Sequence, residues 1–207
     1  MKNLFLVASV LLYFSNFSFA QTPDVTAQKS ETRFGVKAAL IFSNFVGDDA
    51  GDTKTLTSFS GGFFGTFKLG QKLYLQPEIL YSLQGARQNL IIEGTNVKAE
   101  LRTNYVTIPI MLKYYFVNDF SLEAGPYIGF LTSAKVKFAS PFGSGTENID
   151  EIFKSTDFGL GLGFNYDATD NVFLNARYSF GLTQIGDAES DNNVKNSVIQ
   201  FALGIRF

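Results

Sequence analysis

Eight separate stretches of this sequence alternate between large apolar residues and small or polar ones. They cover 33–43, 58–69, 73–84, 104–116, 120–131, 157–167, 172–182 and 197–207. A two-residue period marks a strand with two unlike faces, and no long stretch carries a helical period, so the chain reads as all-β. In the last stretch, VIQFALGIRF, one face holds Ile199, Phe201, Leu203, Ile205 and Phe207. The other holds Val198, Gln200, Ala202, Gly204 and Arg206. The seventh repeats the contrast, with Val172, Leu174, Ala176, Tyr178, Phe180 and Leu182 against Phe173, Asn175, Arg177, Ser179 and Gly181. The sixth sets Phe158, Leu160, Leu162, Phe164 and Tyr166 against Asp157, Gly159, Gly161, Gly163 and Asn165.

The connections alternate as regularly as the strands. GQK (70–72), VND (117–119) and ATDN (168–171) are tight turns, and between them lie long polar segments at 46–57, 85–103, 132–156 and 183–196. An antiparallel up-and-down meander with its long loops at one end gives this pattern. Segment 85–103 has strand-like residues around Gly94-Thr95-Asn96, which predicts a hairpin projecting past the rim of an eight-stranded barrel.

Two barrels fit such alternation. A soluble barrel turns its apolar face inward and needs a charged exterior. Here the less apolar face is mostly Gly, Ser, Ala and Asn, which suits a crowded interior better than a coat in water. Aromatic residues sharpen the choice. With odd strands running outward, Phe34, Phe67, Tyr114, Phe116, Phe120, Tyr166 and Phe207 fall at one rim of the apolar face, and Phe42, Phe59, Tyr81, Phe130, Phe158 and Phe180 at the other. Two aromatic girdles around an aliphatic band are the mark of a lipid-exposed barrel. The expected architecture is an eight-stranded antiparallel transmembrane β-barrel over 33–207, in the outer membrane, with both termini periplasmic.

The N-terminus fits that placement. MKNLFLVASVLLYFSNFSFAQ has a basic start, a short apolar run and Ser18-Phe19-Ala20, which predicts a secretory signal peptide over 1–20 and a polar periplasmic tail over 21–32. A retained helix is the rival reading, but the run is short and Ser15 and Asn16 interrupt it. Cys is 0 and His is 0, which removes thiolate sites and the commonest metal ligand and general base. The net charge of −2 offers no field for nucleic acid.

Several stretches resemble the PorT-like outer-membrane β-barrel family of Bacteroidetes, small barrels of the OmpA/OmpX kind. They are GVKAALIFSNF (35–45), LYLQPEILYSLQG (73–85), NYVTIPIMLKYYF (104–116), LEAGPYIGFL (122–131), ARYSFGLT (176–183) and the terminal LGIRF. The resemblance covers nearly all of the chain after the signal peptide and implies the fold more than an activity; members like the founding protein are implicated in surface secretion. Pro77, Pro109 and Pro126 lie inside predicted strands, with local bulges as the expected accommodation.

Strand parity places Lys37, Lys68, Lys113, Arg177 and Arg206 inside the barrel with Glu78, Glu123 and Asp157. Paired carboxylates can do acid–base work, but no nucleophile–base–orienter set accompanies these. The set is therefore expected to be structural, with opposite charges making a filled lumen tolerable. Phe207 closes the last strand and resembles the terminal aromatic signal read by outer-membrane assembly machinery. Asp48, Asp49 and Asp52, and Asp187, Glu189 and Asp191, lack the full EF-hand spacing and read as solvated acidic loops. The row Gly159, Gly161, Gly163 lies on one strand face and reads as packing rather than a nucleotide loop. No catalytic, cofactor or metal site is expected. Expected partners are membrane lipid and lipopolysaccharide, the assembly machinery, and a protein at the outer loops. The expected role is a closed structural or interaction module; a small-solute porin is the alternative, which a lumen holding Phe64, Tyr74, Met111, Tyr127 and Phe173 argues against. Phe138, Phe142, Ile149, Ile152 and Phe153 make 132–156 unusually apolar, which fits either a cap over the lumen or a patch for a partner.

Overall fold

In the computed structural model, residues 32–92, 95–140, 143–185 and 193–207 are described. The predicted signal peptide and most of the tail lie outside them. Eight strands form the wall: β1 (Thr32–Val46), β2 (Lys54–Lys68), β3 (Leu73–Ile92), β4 (Thr95–Val117), β5 (Phe120–Ser140), β7 (Thr156–Asp167), β8 (Val172–Gly181) and β9 (Lys195–Arg206). A short strand β6 (Gly143–Asn148) and a 3-10 turn (Asp150–Ile152) lie between β5 and β7.

Every neighbour pair is antiparallel, and β1 pairs with both β2 and β9 while β4 pairs with both β3 and β5, so the eight wall strands close into a ring. Closure removes the exposed strand edges that an open sheet leaves. The predicted meander is thus present; its tight turns fall at one end of the ring, called inner, and its long connections at the other, called outer.

The outward face is the apolar one. Phe59, Phe63, Leu162, Phe201 and Leu203 are exposed, while Lys37, Glu78, Lys113, Glu123, Asn165 and Arg177 are buried inside the ring. Aromatic contacts gather at the inner rim, where Phe34 meets Phe67 edge-on at 6.2 Å and Phe120 stacks on Tyr166 at 4.8 Å. This inverts a soluble core and matches the interfacial girdles of a lipid-facing barrel.

The prolines correct one expectation. The offset is identical on both sides of each: Pro77 faces Ile110 and Leu80 faces Thr107; Pro109 faces Tyr127 and Leu112 faces Ala124. Register also runs unbroken through Pro126, opposite Leu160. The irregularities lie instead between Thr55 and Ser60, between Asn104 and Tyr105, and between Tyr115 and Val117.

Segment 132–156 is a second correction. It is not a loop over most of its length: β5 continues to Ser140 and folds back as β6. The predicted 85–103 hairpin forms from the outer ends of β3 and β4. Since β4 pairs with β5 there, the result is a four-stranded sheet, β3–β4–β5–β6, standing beyond the rim. Gly85 opens it with φ 144, where a Cβ would lie 1.9 Å from the Leu101 carbonyl oxygen. Only glycine tolerates that backbone at that approach.

Candidate functional site: a filled lumen and a projecting sheet

At the inner end of the lumen two aromatic rings cross it. Phe64 and Phe173 meet edge-on at 5.4 Å. Their seats are glycines: a Cβ on Gly35 would lie 2.3 Å from the Phe64 ring, and one on Gly204 would lie 2.1 Å from that of Phe173. The ring of Phe173 also carries Lys113 Nζ at 4.7 Å and the Arg206 guanidinium at 4.5 Å, within cation–π range.

Next to the rings lies the charge layer. Arg177 Nη1 and Nη2 donate to the Glu78 carboxylate at 2.9 and 2.7 Å, and Arg177 Nε donates to Glu123 at 2.5 Å. Lys37 Nζ donates to both Glu78 oxygens at 3.2 Å, and Gln76 Nε2 donates to Glu78 at 2.7 Å. Glu123 further accepts from Asn165 and Asn175 at 2.9 and 3.0 Å, with Lys113 Nζ 3.6 Å away. Lys113 donates to Asn165 Oδ1 at 3.0 Å, Thr66 to Gln76 at 3.2 Å, and Gln200 to Asn175 at 3.4 Å.

These bonds form one connected network with a member on every wall strand: Lys37 on β1, Thr66 on β2, Glu78 on β3, Lys113 on β4, Glu123 on β5, Asn165 on β7, Arg177 on β8 and Gln200 on β9. A buried ion pair repays its desolvation only when its remaining lone pairs and protons are satisfied, and here Glu78 accepts five hydrogen bonds and Glu123 three, with Lys113 beside it. That suits a lateral clamp. A general acid or base must face substrate, and Glu78 and Glu123 are both buried within this network.

Two predicted members sit apart from that network. Arg206 pairs with Asp167 at 2.7 and 3.0 Å at the inner end, where Tyr115 OH also donates to Asp167 at 2.9 Å. Asp157 lies toward the outer mouth and accepts from Tyr127 OH, Asn196 Nδ2 and Thr183 Oγ1 at 3.1, 2.9 and 3.0 Å. Lys68 is half-buried at the inner end of β2, in register with Tyr74. Phe207 is 76% exposed at the inner rim, its N–H donating to the Phe34 carbonyl at 2.9 Å. Sequence reasoning missed Asp167, Thr66, Gln76 and Gln200 as partners, although each shares the inward parity of its strand.

An apolar cluster closes the outer end. Phe45, Ala86 and Ile185 are buried together, with Leu101, Phe153 and Val194 against them. Of the apolar residues in 132–156, Phe153 thus joins a cap, Phe138 lies on the projecting sheet, Ile152 is 55% exposed, and Phe142 is outside the described residues. The glycine row packs as expected: a Cβ on Gly159 would lie 2.4 Å from the Tyr127 ring, and one on Gly163 would lie 2.8 Å from Glu123.

Beyond the cap stands the projecting β3–β6 sheet. On one face Glu100 accepts from Arg87 at 3.0 Å and from Arg102 at 2.5 Å. Partial burial pushes the Glu100 carboxyl up, but the bonds from Arg102 and Arg87 outweigh it and hold it below the usual carboxylate value. In the β1–β2 loop Asp49 and Asp48 accept from Asn193 at 2.7 and 3.3 Å. Among the described residues no three carboxylates gather as a metal site would need. Asp187, Glu189 and Asp191 lie outside the described residues.

A closed antiparallel ring with an apolar exterior and a charged, filled interior agrees with what the sequence matches. Residues 19–187 match the model of the outer membrane protein beta-barrel domain. The chain belongs to that family. No curated protein sequence matches significantly. Among solved structures this outer-membrane barrel is similar to Ail, the attachment invasion locus protein of Yersinia pestis. The identity is 14% and the TM-score 0.52, over 86% of this chain and 99% of that one. A second Ail structure, in complex with the heparin analogue sucrose octasulfate, gives 15% and 0.50 over the same shares. At such identities the likeness concerns the fold.

Proposed function

We propose that this outer-membrane barrel is a closed surface module whose extracellular sheet and adjoining loops contact a protein partner. The observation that carries the reading is the filled lumen: a network anchored on all eight wall strands, with crossed aromatic rings at one end and an apolar cap at the other. An eight-stranded ring leaves room only for side chains, and here side chains occupy it, which argues against a small-solute porin and against an enzyme working in the lumen. The edge strand β6, exposed along nearly its whole length, and the adjoining loops are committed neither to lipid nor to packing, and surface elements of this kind carry recognition.

The rest of the plan belongs to the same reading. Residues 1–20 are a cleaved signal peptide, 21–32 a periplasmic tail whose last residue already opens β1, and 33–207 the barrel. Both termini face the periplasm, and Phe207 serves the assembly machinery. Lys37, Lys68, Glu78, Lys113, Glu123, Arg177 and Arg206 hold the barrel from inside. The PorT-like resemblance directs the search for the partner first to surface secretion.

The test replaces 135–148 with a Gly-Ser turn, removing β6 and the outer end of β5. Folding is checked by the difference in migration between unheated and heated samples. Loss of a crosslinked surface partner in a folded variant supports the reading. A folded variant that keeps every crosslink and fully complements a null strain contradicts it.

A further inference from the structure

The extracellular sheet has two unlike faces, and register assigns them. Directly paired residues in antiparallel strands share a face. Arg87 pairs with Glu100, Glu100 with Lys137, and Lys137 with Thr146. One step inward, Gly85 pairs with Arg102, and Arg102 with Lys135; one step outward, Asn89 pairs with Lys98. Among the described residues, one face therefore carries Arg87, Lys98, Arg102, Lys135 and Lys137 against a single carboxylate, Glu100. All five cations are exposed. The opposite face carries Ala86, Ala99, Leu101, Val136 and Phe138. A chain with a net charge of −2 thus gathers a formal +4 on one side of one small sheet.

The basic face looks in a definite direction. Along β3 and β4 the pleat continues unbroken from the wall, so Arg87 shares the side of Tyr81, and Arg102 shares that of Val106; this is the lipid-facing side. Strand β5 reaches the same result through its irregularity opposite Asn104/Tyr105. The extra residue there flips parity, moving Lys135 and Lys137 to the outer side and Ala134, Val136 and Phe138 to the inner. Without that shift the sheet would mix the two sets.

Distance agrees with direction. The Arg102–Lys135 row is two residues past Leu83, so it lies about 7 Å farther along the strands. The polar layer of a bilayer extends roughly 5–8 Å beyond each side of the hydrocarbon. Concavities of ≈ 280 and ≈ 410 Å³ mark this face, the first lined by Arg102, Lys135 and Lys137 and the second by Arg87, Lys98 and Glu100.

We propose that the outward face of the β3–β6 sheet binds the phosphate groups of outer-leaflet lipid A. Arg102 and Lys135 meet the phosphates nearest the wall, and Lys137 and Lys98 those standing higher. Lys and Arg are matched to phosphate by charge and by donor geometry. A face turned sideways over lipid, rather than out into solution, selects a membrane anion over a soluble polyanion. The proposal rests on the orientation given under Proposed function, which labelling of Lys137→Cys on intact cells tests by itself.

The experiment reads lipid retention by native mass spectrometry on the detergent-solubilised full chain, using bis-phosphorylated lipid A as probe. Variants are Lys98→Gln/Lys135→Gln/Lys137→Gln, the Lys→Arg counterpart at the same three positions, and Lys72→Gln in an inner turn. Heat-dependent migration confirms that each is folded. Retention is expected to fall at least tenfold in the Gln triple variant, to survive in the Arg counterpart and in Lys72→Gln, and to be weak for dephosphorylated lipid A with the wild type. Equal retention by wild type and Gln triple variant overturns the site. Equal retention of dephosphorylated lipid overturns the phosphate assignment, and displacement by millimolar inorganic phosphate overturns the lipid assignment.

Discussion

Arg177 joins two halves of the lumen network, and its removal tests whether that network holds the barrel together. On one side of it lie Lys37, Thr66, Gln76 and Glu78, on β1 to β3; on the other lie Lys113, Glu123, Asn165, Asn175 and Gln200, on the remaining wall strands. Among the described residues, the hydrogen bonds that cross between them are those of Arg177 to Glu78 and Glu123. Arg177→Met removes three charge-assisted bonds and leaves two buried carboxylates without the cation between them. Breaking a buried pair from one side costs about 3–5 kcal/mol. Lys37→Met deletes the same unit of charge but only the 3.2 Å contact with Glu78, on the edge of the network. Its cost is expected at about 1–2 kcal/mol, because Glu78 keeps Arg177 and Gln76. Arg177→Lys falls between, since an ammonium cannot make the fork to Glu78. The assay is urea unfolding in detergent micelles, followed by intrinsic tyrosine fluorescence because the chain has no tryptophan. A loss from Lys37→Met equal to or larger than that from Arg177→Met would refute the reasoning, since net charge rather than connectivity would then govern stability.

Three further outcomes follow from the same structure. Phe207→Lys should lower the yield of assembled barrel in cells more than Phe34→Lys, its hydrogen-bonded neighbour on the same girdle; equal yields would remove the special role of the terminal aromatic. Gly159→Val should destabilise by about 1–3 kcal/mol through overpacking, because the added Cβ meets the Phe180 carbonyl oxygen at 2.3 Å and the Tyr127 ring at 2.4 Å; an unchanged urea midpoint would contradict this. The Glu100 carboxyl is held below its unfolded value, so its contribution to the projecting sheet is full above the unfolded value and is lost as pH falls through the folded one. Amide exchange over 97–102, corrected for intrinsic rates, should therefore quicken on acidification in the wild type and be less pH-dependent in Glu100→Gln.

The wall was legible because a two-residue period repeated eight times has one economical solution, and the girdles fix which side meets lipid. Parity also found Lys37, Glu78, Lys113, Glu123 and Arg177 as one buried set. It could not pair them, because partners such as Glu78 and Arg177 are 99 residues apart and meet only across the lumen. Parity groups Arg206 with the glutamates for that reason, whereas its partner is Asp167. The projecting sheet was half legible. Its β3–β4 hairpin carries a turn signal, whereas the outer end of β5 hides behind a bulge. The even positions of β5 are apolar both before and after it, yet they face lipid at Phe130 and the inner side at Val136 and Phe138. A one-residue insertion that flips parity leaves no mark on an alternation pattern. The prolines misled in the opposite way, inviting bulges where the register is regular.

The central claim is that the Phe/Leu/Ile face of each strand meets lipid and the Gly/Asn/charged face fills a closed interior. The chain has no cysteine, so single cysteines can be placed along β9 at Ile199, Gln200, Phe201, Ala202 and Leu203 and spin-labelled in bilayers. The labels at 199, 201 and 203 should collide freely with oxygen dissolved in lipid and little with a water-soluble nickel chelate. Those at 200 and 202 should be shielded from both. High nickel accessibility at 200 and 202 would show an open aqueous lumen, and high nickel accessibility at 199, 201 and 203 would show a barrel standing in water; either result would contradict the account.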